Sequence, residues 1–340
     1  MTSSTRLKKI NIAHIIPTMN YGGVEIAIQK SYSELNKIFN YKIITVKAKG
    51  PIDLNQDNIF NFIIKIMFKR TSVDVIITSL WWSHLFGFFF KILGYKWYAF
   101  YHSSASTHYL NKIITNFSAK NCDICLVDSN ETKKFILRKT KKLIYKIPFI
   151  FENQKKINMT EDREVDFIFI GRNIKDKRLD ILVKFIKKMI QFDPNLNFVF
   201  IINGPPSSET KEIESLSYKI YKNLDNKSVL SYLLKSKFYL HFSDREGMSM
   251  STVEAIQCGC IPVIKLSGEI KNYLDSNSAI IMNEGDDLSI EKTVNAITKI
   301  YYENNILNNM RSLALEKIDK IEKYITTFKK VILNEKINEN

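Results

Sequence analysis

Short apolar runs rich in β-branched and aromatic residues alternate along the chain with longer segments of helical periodicity. This alternation is typical of βαβ units, whose parallel strands are covered by helices on both faces. A polar stretch without periodicity, residues 151–164, divides the pattern into two similar halves. We therefore predict an α/β protein with two doubly wound, Rossmann-like domains, residues 1–155 and 156–340, facing a central cleft. Packing of the C-terminal helical segment against the first domain stays open as an alternative.

Each half contains six candidate strands, and ligands of doubly wound sheets bind in the loops that follow the strands. The strands are predicted at residues 10–16, 41–46, 73–79, 97–102, 124–128, 143–147, 165–171, 197–204, 219–223, 238–243, 261–266 and 279–282. Helices are predicted at residues 24–39, 59–69, 85–93, 109–119, 131–138, 179–191, 229–235 and 251–258, with further helical pattern from residue 290 to the C-terminus. A length of 340 residues agrees with two cores, because single cores stop growing at about 250–300 residues.

Positive charge is concentrated in the first half. Residues 1–150 hold 22 Lys and Arg against 8 Asp and Glu, whereas the remaining residues hold 28 against 27. Such a balance predicts an anionic partner for the first domain, namely a nucleic acid, an acidic membrane surface or a phosphorylated substrate. A Lys-rich composition without function is the alternative. The low content of Gly and Pro, 11 and 7 residues, excludes collagen-like and low-complexity chains.

Cysteines and targeting signals give weaker information. The spacing of Cys122, Cys125, Cys258 and Cys260 does not complete a zinc site, so we predict reduced core thiols. Residues 1–9 are polar and lack the apolar region of a signal peptide, which favours a cytoplasmic protein. The apolar residues 81–100 are interrupted by His, Lys and Gly, so no transmembrane helix is predicted there.

The most informative segment follows the strand predicted at residues 238–243. A loop with Glu246 and Gly247 leads into a helix for which Ser249 or Ser251 is the expected N-cap. The helix N-terminus offers unpaired N–H groups that favour a phosphate. Glu254 lies about one turn into this helix. Because carboxylates repel a phosphate, we expect Glu246 and Glu254 to face a neutral polyol such as a sugar or ribose.

Three more loops carry candidate residues. Arg172 and Lys177 follow the first strand of the second half and suit the oxygens of a diphosphate. Gly22 and Gly23 follow the first strand of the chain, where they permit close backbone approach of a ligand. His102 ends another strand. We expect His14, His84 and His108 to be structural, and His241 to lie in the core, with the cleft as its alternative.

These motifs together resemble a known family. Glu246-x7-Glu254, followed by Ala255, Cys258-Gly259 and Pro262-Val263, is similar to the EGFG…EAMACGxPVV element of family-4 retaining glycosyltransferases, which have the GT-B fold. Gly171-Arg172-x4-Lys177 is similar to the GR-x4-KG segment of that family. The resemblance spans roughly residues 10–285.

The resemblance implies a role for each matching position. Glu254 would bind the ribose and Glu246 the donor sugar, while the backbone of Gly247, Met248 and Ser249 would hold the diphosphate. Arg172 and Lys177 would stabilise the leaving group, and Gly22 and Gly23 would lie close to the donor phosphates. His102 would contact the transferring sugar. The catalytic residues implied are thus His102, Glu246, Arg172 and Lys177.

The chain departs from the family at three places. The glycine after the GR-x4-K segment is Arg178 here, which alters the turn or adds a third cation. Residues 147–150 read Ile-Pro-Phe-Ile, without the usual Asn and Gly of an IPNGV segment. Gly268 and Glu269 stand where members have a glycine-rich loop.

The implied activity is retaining transfer of a sugar from a nucleotide-diphosphate sugar to a glycan or lipid-linked acceptor, in lipopolysaccharide or capsule biosynthesis. No cofactor is expected, and no metal, because the sequence has no clustered Asp-x-Asp. The basic first domain, with residues 59–70 and 88–98, predicts peripheral binding to the anionic inner face of the cytoplasmic membrane and no nucleic acid. The alternative for the apolar faces of these two segments is that they are buried crossover helices of the sheet. Alternatives are another GT-B enzyme such as a nucleotide-sugar epimerase, a weakly active glycan-binding relative, or a basic nucleic-acid-binding protein.

Overall fold

The chain folds into two compact units in a computed structural model that describes residues 9–337 except 21, 48–53, 107 and 153–162. The first unit comprises the described residues up to Phe151 and those from Glu322 onward, and the second comprises Glu152–Ile321. Most of the predicted linker and the predicted boundary at residues 155 and 156 lie outside the described residues.

The described part of the first unit forms a seven-stranded parallel sheet in the order β3-β2-β1-β4-β5-β6-β7. Its strands are β1 (Asn11–Ile16), β2 (Asn40–Thr45), β3 (Asp57–Asn58), β4 (Val75–Ser79), β5 (Lys96–Tyr101), β6 (Ile124–Val127) and β7 (Ile144–Lys146). The strand order reverses between β1 and β4, and such a switch point is where ligands bind at the carboxyl ends of the strands.

Helices cover this sheet because their apolar faces complete its core. They are α1 (Gly23–Ile38), α2 (Ile59–Met67), α3 (His84–Ile92), α4 (Tyr109–Asn121) and α5 (Asn130–Leu137), and a short 3₁₀ helix, Trp81–Ser83, precedes α3. Helix α3 approaches the sheet closely at Gly87, where an added Cβ would lie 2.0 Å from Nε1 of Trp97 on β5. Gly87 therefore lets α3 lie directly on the buried indole.

The second unit contains a six-stranded parallel sheet in the order β10-β9-β8-β11-β12-β13, and its order reverses between β8 and β11. The strands are β8 (Val165–Arg172), β9 (Phe198–Asn203), β10 (Ile220–Tyr221), β11 (Ser236–His241), β12 (Ile261–Lys265) and β13 (Ile280–Met282). The helices are α6 (Leu179–Phe192), α7 (Ser208–Ser215), α8 (Asn226–Leu234), α9 (Met250–Gln257), α10 (Asp287–Ile300) and α11 (Asn304–Asp319), with 3₁₀ helices at Lys175–Lys177 and Gly268–Asn272. Stacked phenylalanines on β8, β9 and β11 form the centre of its core.

The last helix, α12 (Tyr324–Ile337), packs on the first unit. The backbone N–H of Tyr324 donates to the carbonyl of Ile150 at 2.7 Å. The ring of Phe328 lies edge-on against Phe39 and Tyr41, with centroids 6.1 and 6.2 Å apart. The C-terminal helical segment is therefore divided, with α10 and α11 in the second unit and α12 in the first.

Candidate functional site

Three neighbouring strands of the second unit carry the predicted residues at their carboxyl ends. Arg172 ends β8 and Lys177 follows it, Glu246 lies in the loop after β11, and Gly268 lies after β12. Since β8, β11 and β12 are adjacent and parallel, these loops meet at one edge of the sheet. Sheet order thus brings together residues that are far apart in the sequence.

An ion pair joins two of these loops. Nζ of Lys177 lies 2.5 Å from Oε1 of Glu246, and the two side chains are only 15% and 14% exposed. Burial by itself would raise the pKa of the Glu246 carboxyl, but the Lys177 ammonium, with His241, outweighs burial and holds the pKa below its usual value. Glu246 is therefore ionised at neutral pH and can accept hydrogen bonds from hydroxyl groups.

His241 belongs to the same cluster, although its position inside a strand favoured the core. Its Nε2 lies 3.6 Å from Oε1 of Glu246 and 3.3 Å from Oγ of Ser249. Burial lowers the pKa of His241 to about 4, so its contact with Glu246 is not an ion pair at neutral pH. The only sequence signal was the position of His241 close to the carboxyl end of its strand.

Helix α9 begins after one of the two serines predicted as its N-cap. Ser249 occupies the N-cap position with a left-handed φ of 53°, and its side chain makes no capping hydrogen bond. The Ser249 hydroxyl instead contacts Oγ1 of Thr252 at 2.8 Å, and the Ser251 hydroxyl accepts from Tyr239. The predicted N-cap position is therefore confirmed for Ser249, but its hydroxyl lies toward His241 and does not bond the first N–H groups of the helix. Glu254 lies half-buried further along this helix.

The loop after β12 packs against the backbone of the Glu246 loop. The N–H of Glu269 donates to the carbonyl of Gly247 at 2.9 Å. Gly268 has a φ of +62°, and an added Cβ there would lie 2.5 Å from the carbonyl oxygen of Gly247 and 2.6 Å from that of Glu246. Only glycine fits this position without displacing backbone, so Gly268 and Glu269 fix the backbone that carries Glu246.

Arg172 and Arg178, which lie at this edge, differ in their environment. Arg172 is exposed and has no ion pair with any residue that the structure describes. Arg178 adopts a left-handed φ of 51°, and its guanidinium pairs with Asp180 at 2.8 Å and with Asp244 at 3.2 Å. Arg178 thus forms the turn for which the family uses glycine, and two carboxylates neutralise its charge. Arg172 presents the uncompensated charge.

The first unit carries its predicted residues at the switch point of its own sheet. Gly22 is the N-cap of α1, directly after β1, and Gly23 is the first residue of that helix. Glu25 is buried, and its carboxylate lies so close to Gly22 that a Cβ there would be 2.3 Å from Oε2. Gly22 thus leaves room for a carboxylate at the helix N-terminus, where the helix dipole favours negative charge.

His102 follows β5 and is held between two phenylalanines. Its ring centroid lies 4.2 Å from that of Phe100 and 5.1 Å from that of Phe149, which replaces the usual family asparagine. Nε2 of His102 lies 3.0 Å from Oγ of Ser79, and Nδ1 is buried without a hydrogen-bond partner among the described residues. Burial, with smaller effects of His14 and His84, lowers the pKa of His102 well below 6.5, so the ring is neutral at pH 7.

The remaining histidines and the cysteines make local contacts. His84 is buried and bonded to the Thr78 hydroxyl at 2.8 Å, and His108 accepts from the N–H of Asn111 as the N-cap of α4. All four cysteines are free and buried. Within the part of the chain that the structure describes, no group of three or more His, Cys, Asp and Glu side chains has an arrangement suited to a metal ion.

Comparisons with known proteins agree with this arrangement of strands and loops. Residues 150–315 match the family described as glycosyl transferases group 1. The capsular polysaccharide biosynthesis glycosyltransferase CapH of Staphylococcus aureus is 24% identical over 314 residues, which cover 79% of this chain and 86% of CapH. The GPI3 subunit of phosphatidylinositol N-acetylglucosaminyltransferase from Saccharomyces cerevisiae is 24% identical over 226 residues, covering 61% of this chain and 48% of that protein.

Solved structures show the same fold at low sequence identity. Sucrose-phosphate synthase from Thermosynechococcus elongatus is similar with a TM-score of 0.75 and 13% identity, covering 97% of this chain and 99% of that one. Anabaena HepE in complex with UDP and glucose is similar with a TM-score of 0.74 and 13% identity, covering 97% and 100%. Residues 150–315 therefore match the glycosyl transferases group 1, and the two doubly wound units identify the chain as a glycosyltransferase with the GT-B fold.

Proposed function

We propose that the chain is a retaining glycosyltransferase that moves a sugar from a nucleoside-diphosphate sugar to a glycan or lipid-linked acceptor in the assembly of a bacterial surface polysaccharide. One observation carries the proposal. An exposed Arg172 without an ion pair among the described residues, a helix start without a side-chain cap and the ionised Glu246 meet at one sheet edge. This edge therefore combines hydrogen-bond donors that suit a diphosphate with a carboxylate that can accept hydrogen bonds from sugar hydroxyls. The likeness to CapH over most of the chain supports the polysaccharide product.

The diphosphate is assigned to Arg172 and the start of α9. A guanidinium can donate two parallel hydrogen bonds to phosphate oxygens, and the first N–H groups of a helix add further donors with a favourable dipole. Lys177 already faces Glu246, so it contributes charge near the leaving group while keeping that carboxylate in place. Preorganised positive charge of this kind stabilises a departing nucleoside diphosphate more than it stabilises the bound donor.

The hydroxyl groups are assigned to the carboxylates and to His102. Glu246 accepts hydrogen bonds from the donor sugar, Glu254 from the ribose, and His102 contacts the transferring sugar. In the proposed step the bond between the anomeric carbon and the phosphate oxygen breaks, and a bond to the acceptor oxygen forms on the same face. The acceptor proton passes to the departing phosphate oxygen, so no protein side chain serves as nucleophile.

Transfer measured with a panel of nucleotide sugars tests this function. We expect Arg172→Ala and Glu254→Ala to weaken donor binding by an order of magnitude or more, since each removes a charge-assisted contact of about 1.5–3 kcal/mol. Lys187→Ala, on the exposed part of α6, is the control that should leave donor affinity unchanged. Unchanged donor affinity in both site variants would refute the assignment. Conversion of the nucleotide sugar into an epimer without acceptor would favour the epimerase alternative.

The acceptor is expected at an anionic membrane surface, which the first unit would contact through α2. Phe60, Ile64, Met67 and Phe68 follow one another at helical spacing and are exposed, Phe60 by 67% and Met67 by 70%, whereas Phe62 on the opposite face is buried. We name these four residues the apolar ridge. Lys69 and Arg70 follow the ridge directly and are exposed. The described residues include no helix that is long and apolar enough to span a membrane.

Cosedimentation with vesicles tests the membrane contact. Vesicles with anionic lipid should bind the protein, neutral phosphatidylcholine vesicles should bind it weakly, and added salt should reduce the binding. The double variant Phe60→Ser, Met67→Ser should lose most of the binding. Leu143→Ser changes an equally exposed apolar residue of another segment and is the matched control. Equal binding by both variants would contradict a role for the apolar ridge.

A further inference from the structure

A row of hydrogen-bonded side chains crosses four neighbouring strands of the first unit and ends at His102. The Tyr41 hydroxyl of β2 lies 2.5 Å from Nδ1 of His14 on β1. Nε2 of His14 lies 2.7 Å from Oγ of Ser79 on β4, and the same Oγ lies 3.0 Å from Nε2 of His102 after β5. Strands β2, β1, β4 and β5 are neighbours in that order. Tyr41, His14 and Ser79 are buried.

Only two arrangements of the protons form all three hydrogen bonds of the row, because Ser79 cannot donate to both imidazoles and its own proton would be unbonded if it accepted from both. Burial lowers the pKa of His14 to about 3 and that of His102 well below 6.5, so both rings are neutral and each carries one N–H. The Ser79 hydroxyl has one proton, which it donates to one imidazole while it accepts from the other. The direction at Ser79 therefore fixes the direction at every other member of the row.

Tyr41 decides between the two arrangements. If the protons ran from His102 toward Tyr41, Nδ1–H of His14 would donate to the phenol oxygen. The buried Tyr41 O–H would then have no acceptor, because the described residues provide it with no other partner. That arrangement would leave two buried groups unpaired, the Tyr41 O–H and the Nδ1 lone pair of His102. When Tyr41 donates to His14, Nε2–H of His14 donates to Ser79 and Ser79 donates to Nε2 of His102. Only Nδ1–H of His102 is then unpaired, and a ligand oxygen can accept from it.

The backbone next to Ser79 shows that its position is enforced. Leu80, the residue after Ser79, has φ +67° and ψ 141°, a conformation that non-glycine residues rarely adopt. Strain of this kind persists only where the surrounding structure imposes it. The turn at the end of β4 thus holds the Ser79 hydroxyl between two imidazoles, at a switch point of the sheet.

We propose that Tyr41, His14 and Ser79 are positioning residues that place the single ring proton of His102 on Nδ1 and make this buried nitrogen a hydrogen-bond donor for an oxygen of the donor sugar. The ring donates and stays neutral, so it does not act as a general base. Nδ1 has no partner among the described residues, and a substrate oxygen would satisfy it. Only the identity of that oxygen rests on the proposed function.

Nuclear magnetic resonance of the full chain with labelled histidine tests the proton position directly. Long-range couplings from the ring carbon protons to the two ring nitrogens distinguish the tautomers, and loss of one signal set in His102→Gln assigns His102 among the five histidines. At pH 7 we expect a protonated Nδ1 and an unprotonated Nε2. A protonated Nε2 on His102 in the unmodified protein would overturn the proposal.

Two variants test the positioning role. Ser79→Ala and Tyr41→Phe should each convert His102 to a mixture of tautomers or to the Nε2–H form, and should lower kcat/KM about threefold to tenfold, the effect of one neutral hydrogen bond. Tyr32→Phe changes a tyrosine ring that packs on Tyr41 and is the matched control. Ser79→Thr keeps the hydroxyl and should restore the tautomer. An unchanged His102 tautomer in folded Ser79→Ala would refute the proposal.

The tautomer and the reaction can fail independently. If His102 has the Nδ1–H tautomer but the protein transfers no sugar from any donor, the positioning proposal stands and the proposed function is refuted. If the protein transfers sugar but His102 carries its proton on Nε2, the proposed function stands and the positioning proposal is refuted. If Tyr41→Phe does not fold, the spectrum of the unmodified protein still decides.

Discussion

Lowering the pH from 7.5 to 5.5 is expected to destabilise the first unit more than the second. His14 and His84, both buried in the first unit, have pKa values lowered to about 3 by burial, and burial also lowers the pKa of His102. The second unit holds one such residue among those described, His241, with a pKa lowered to about 4. These histidines stay neutral in the folded state, whereas the unfolded chain binds protons below pH about 6.5.

The sign and size follow from proton linkage. Because the unfolded state binds the extra protons, the stability contributed above pH about 6.5 is lost as the pH falls toward the folded pKa values. One unit of pH below the unfolded value costs about 1.4 kcal/mol for each buried neutral histidine. At pH 5.5, His14 and His84 together cost the first unit about 3 kcal/mol, and His102 acts in the same direction. His241 costs the second unit about 1.4 kcal/mol. Domain stabilities are only about 5–15 kcal/mol.

Urea unfolding followed by two signals measures this difference. All three tryptophans, Trp81, Trp82 and Trp97, lie in the first unit, so their fluorescence reports on that unit alone, whereas far-ultraviolet circular dichroism reports on both. With a slope of about 2–3 kcal/mol/M, the fluorescence midpoint should fall by about 1 M or more between pH 7.5 and 5.5. The circular dichroism curve should split into two transitions at the lower pH.

Two variants provide the controls. His84→Gln removes one buried titrating group and should reduce the pH-dependent loss by about 1.4 kcal/mol. His108→Asn replaces an exposed histidine by a residue that also caps helices, and should leave the loss unchanged. The reasoning would be refuted if the fluorescence midpoint fell with pH no further than the midpoint of the later circular dichroism transition. It would also be refuted if the unmodified protein, His84→Gln and His108→Asn showed the same pH dependence.

Three further perturbations have defined outcomes. Gly268→Ala should lower stability by about 2–3 kcal/mol and weaken donor binding, because its Cβ meets backbone at 2.5 Å, whereas Gly94→Ala, with a φ of +88° but open space, should cost only about 1 kcal/mol. Lys177→Met leaves the Glu246 carboxylate without its lysine partner and should lower the free energy of unfolding by about 2 kcal/mol, measured with urea. The double variant Lys177→Met, Glu246→Gln should recover part of this loss. Transfer activity is expected to persist in EDTA, and complete loss would overturn the expectation of a metal-free reaction.

Much of the fold follows from local pattern. The strand predicted at residues 41–46 is Asn40–Thr45, and the helix predicted at 59–69 is Ile59–Met67. Both segments have apolar residues at the period of their structure, which local sequence reports directly. Helix α7, Ser208–Ser215, was not predicted, because only Thr210 and Ile213 of its polar sequence are buried. Its two-residue neighbour β10 is likewise shorter than the strand predicted at residues 219–223.

The candidate site was predictable in part. Arg172 ends a strand, Lys177 and Glu246 follow strands, and the order of those strands makes the loops meet. The role of Arg178 was not predictable, since its charge is neutralised by Asp180 and Asp244, and Asp244 is distant in sequence. His241 was predicted as a core residue, and only the loop of Glu246 folding back over the end of β11 brings the two within 3.6 Å.

Local sequence patterns are sufficient to predict an α/β protein with two parallel-sheet units and to identify the loops that carry cations, carboxylates and glycines, because periodicity and motif spacing are local properties. The charge states of the site residues, in contrast, follow only from the tertiary structure. Glu246 is ionised because Lys177 lies 2.5 Å away, and the ring of His102 is neutral because it is buried. These states depend on burial and on neighbours from other strands, and strand order places those neighbours together.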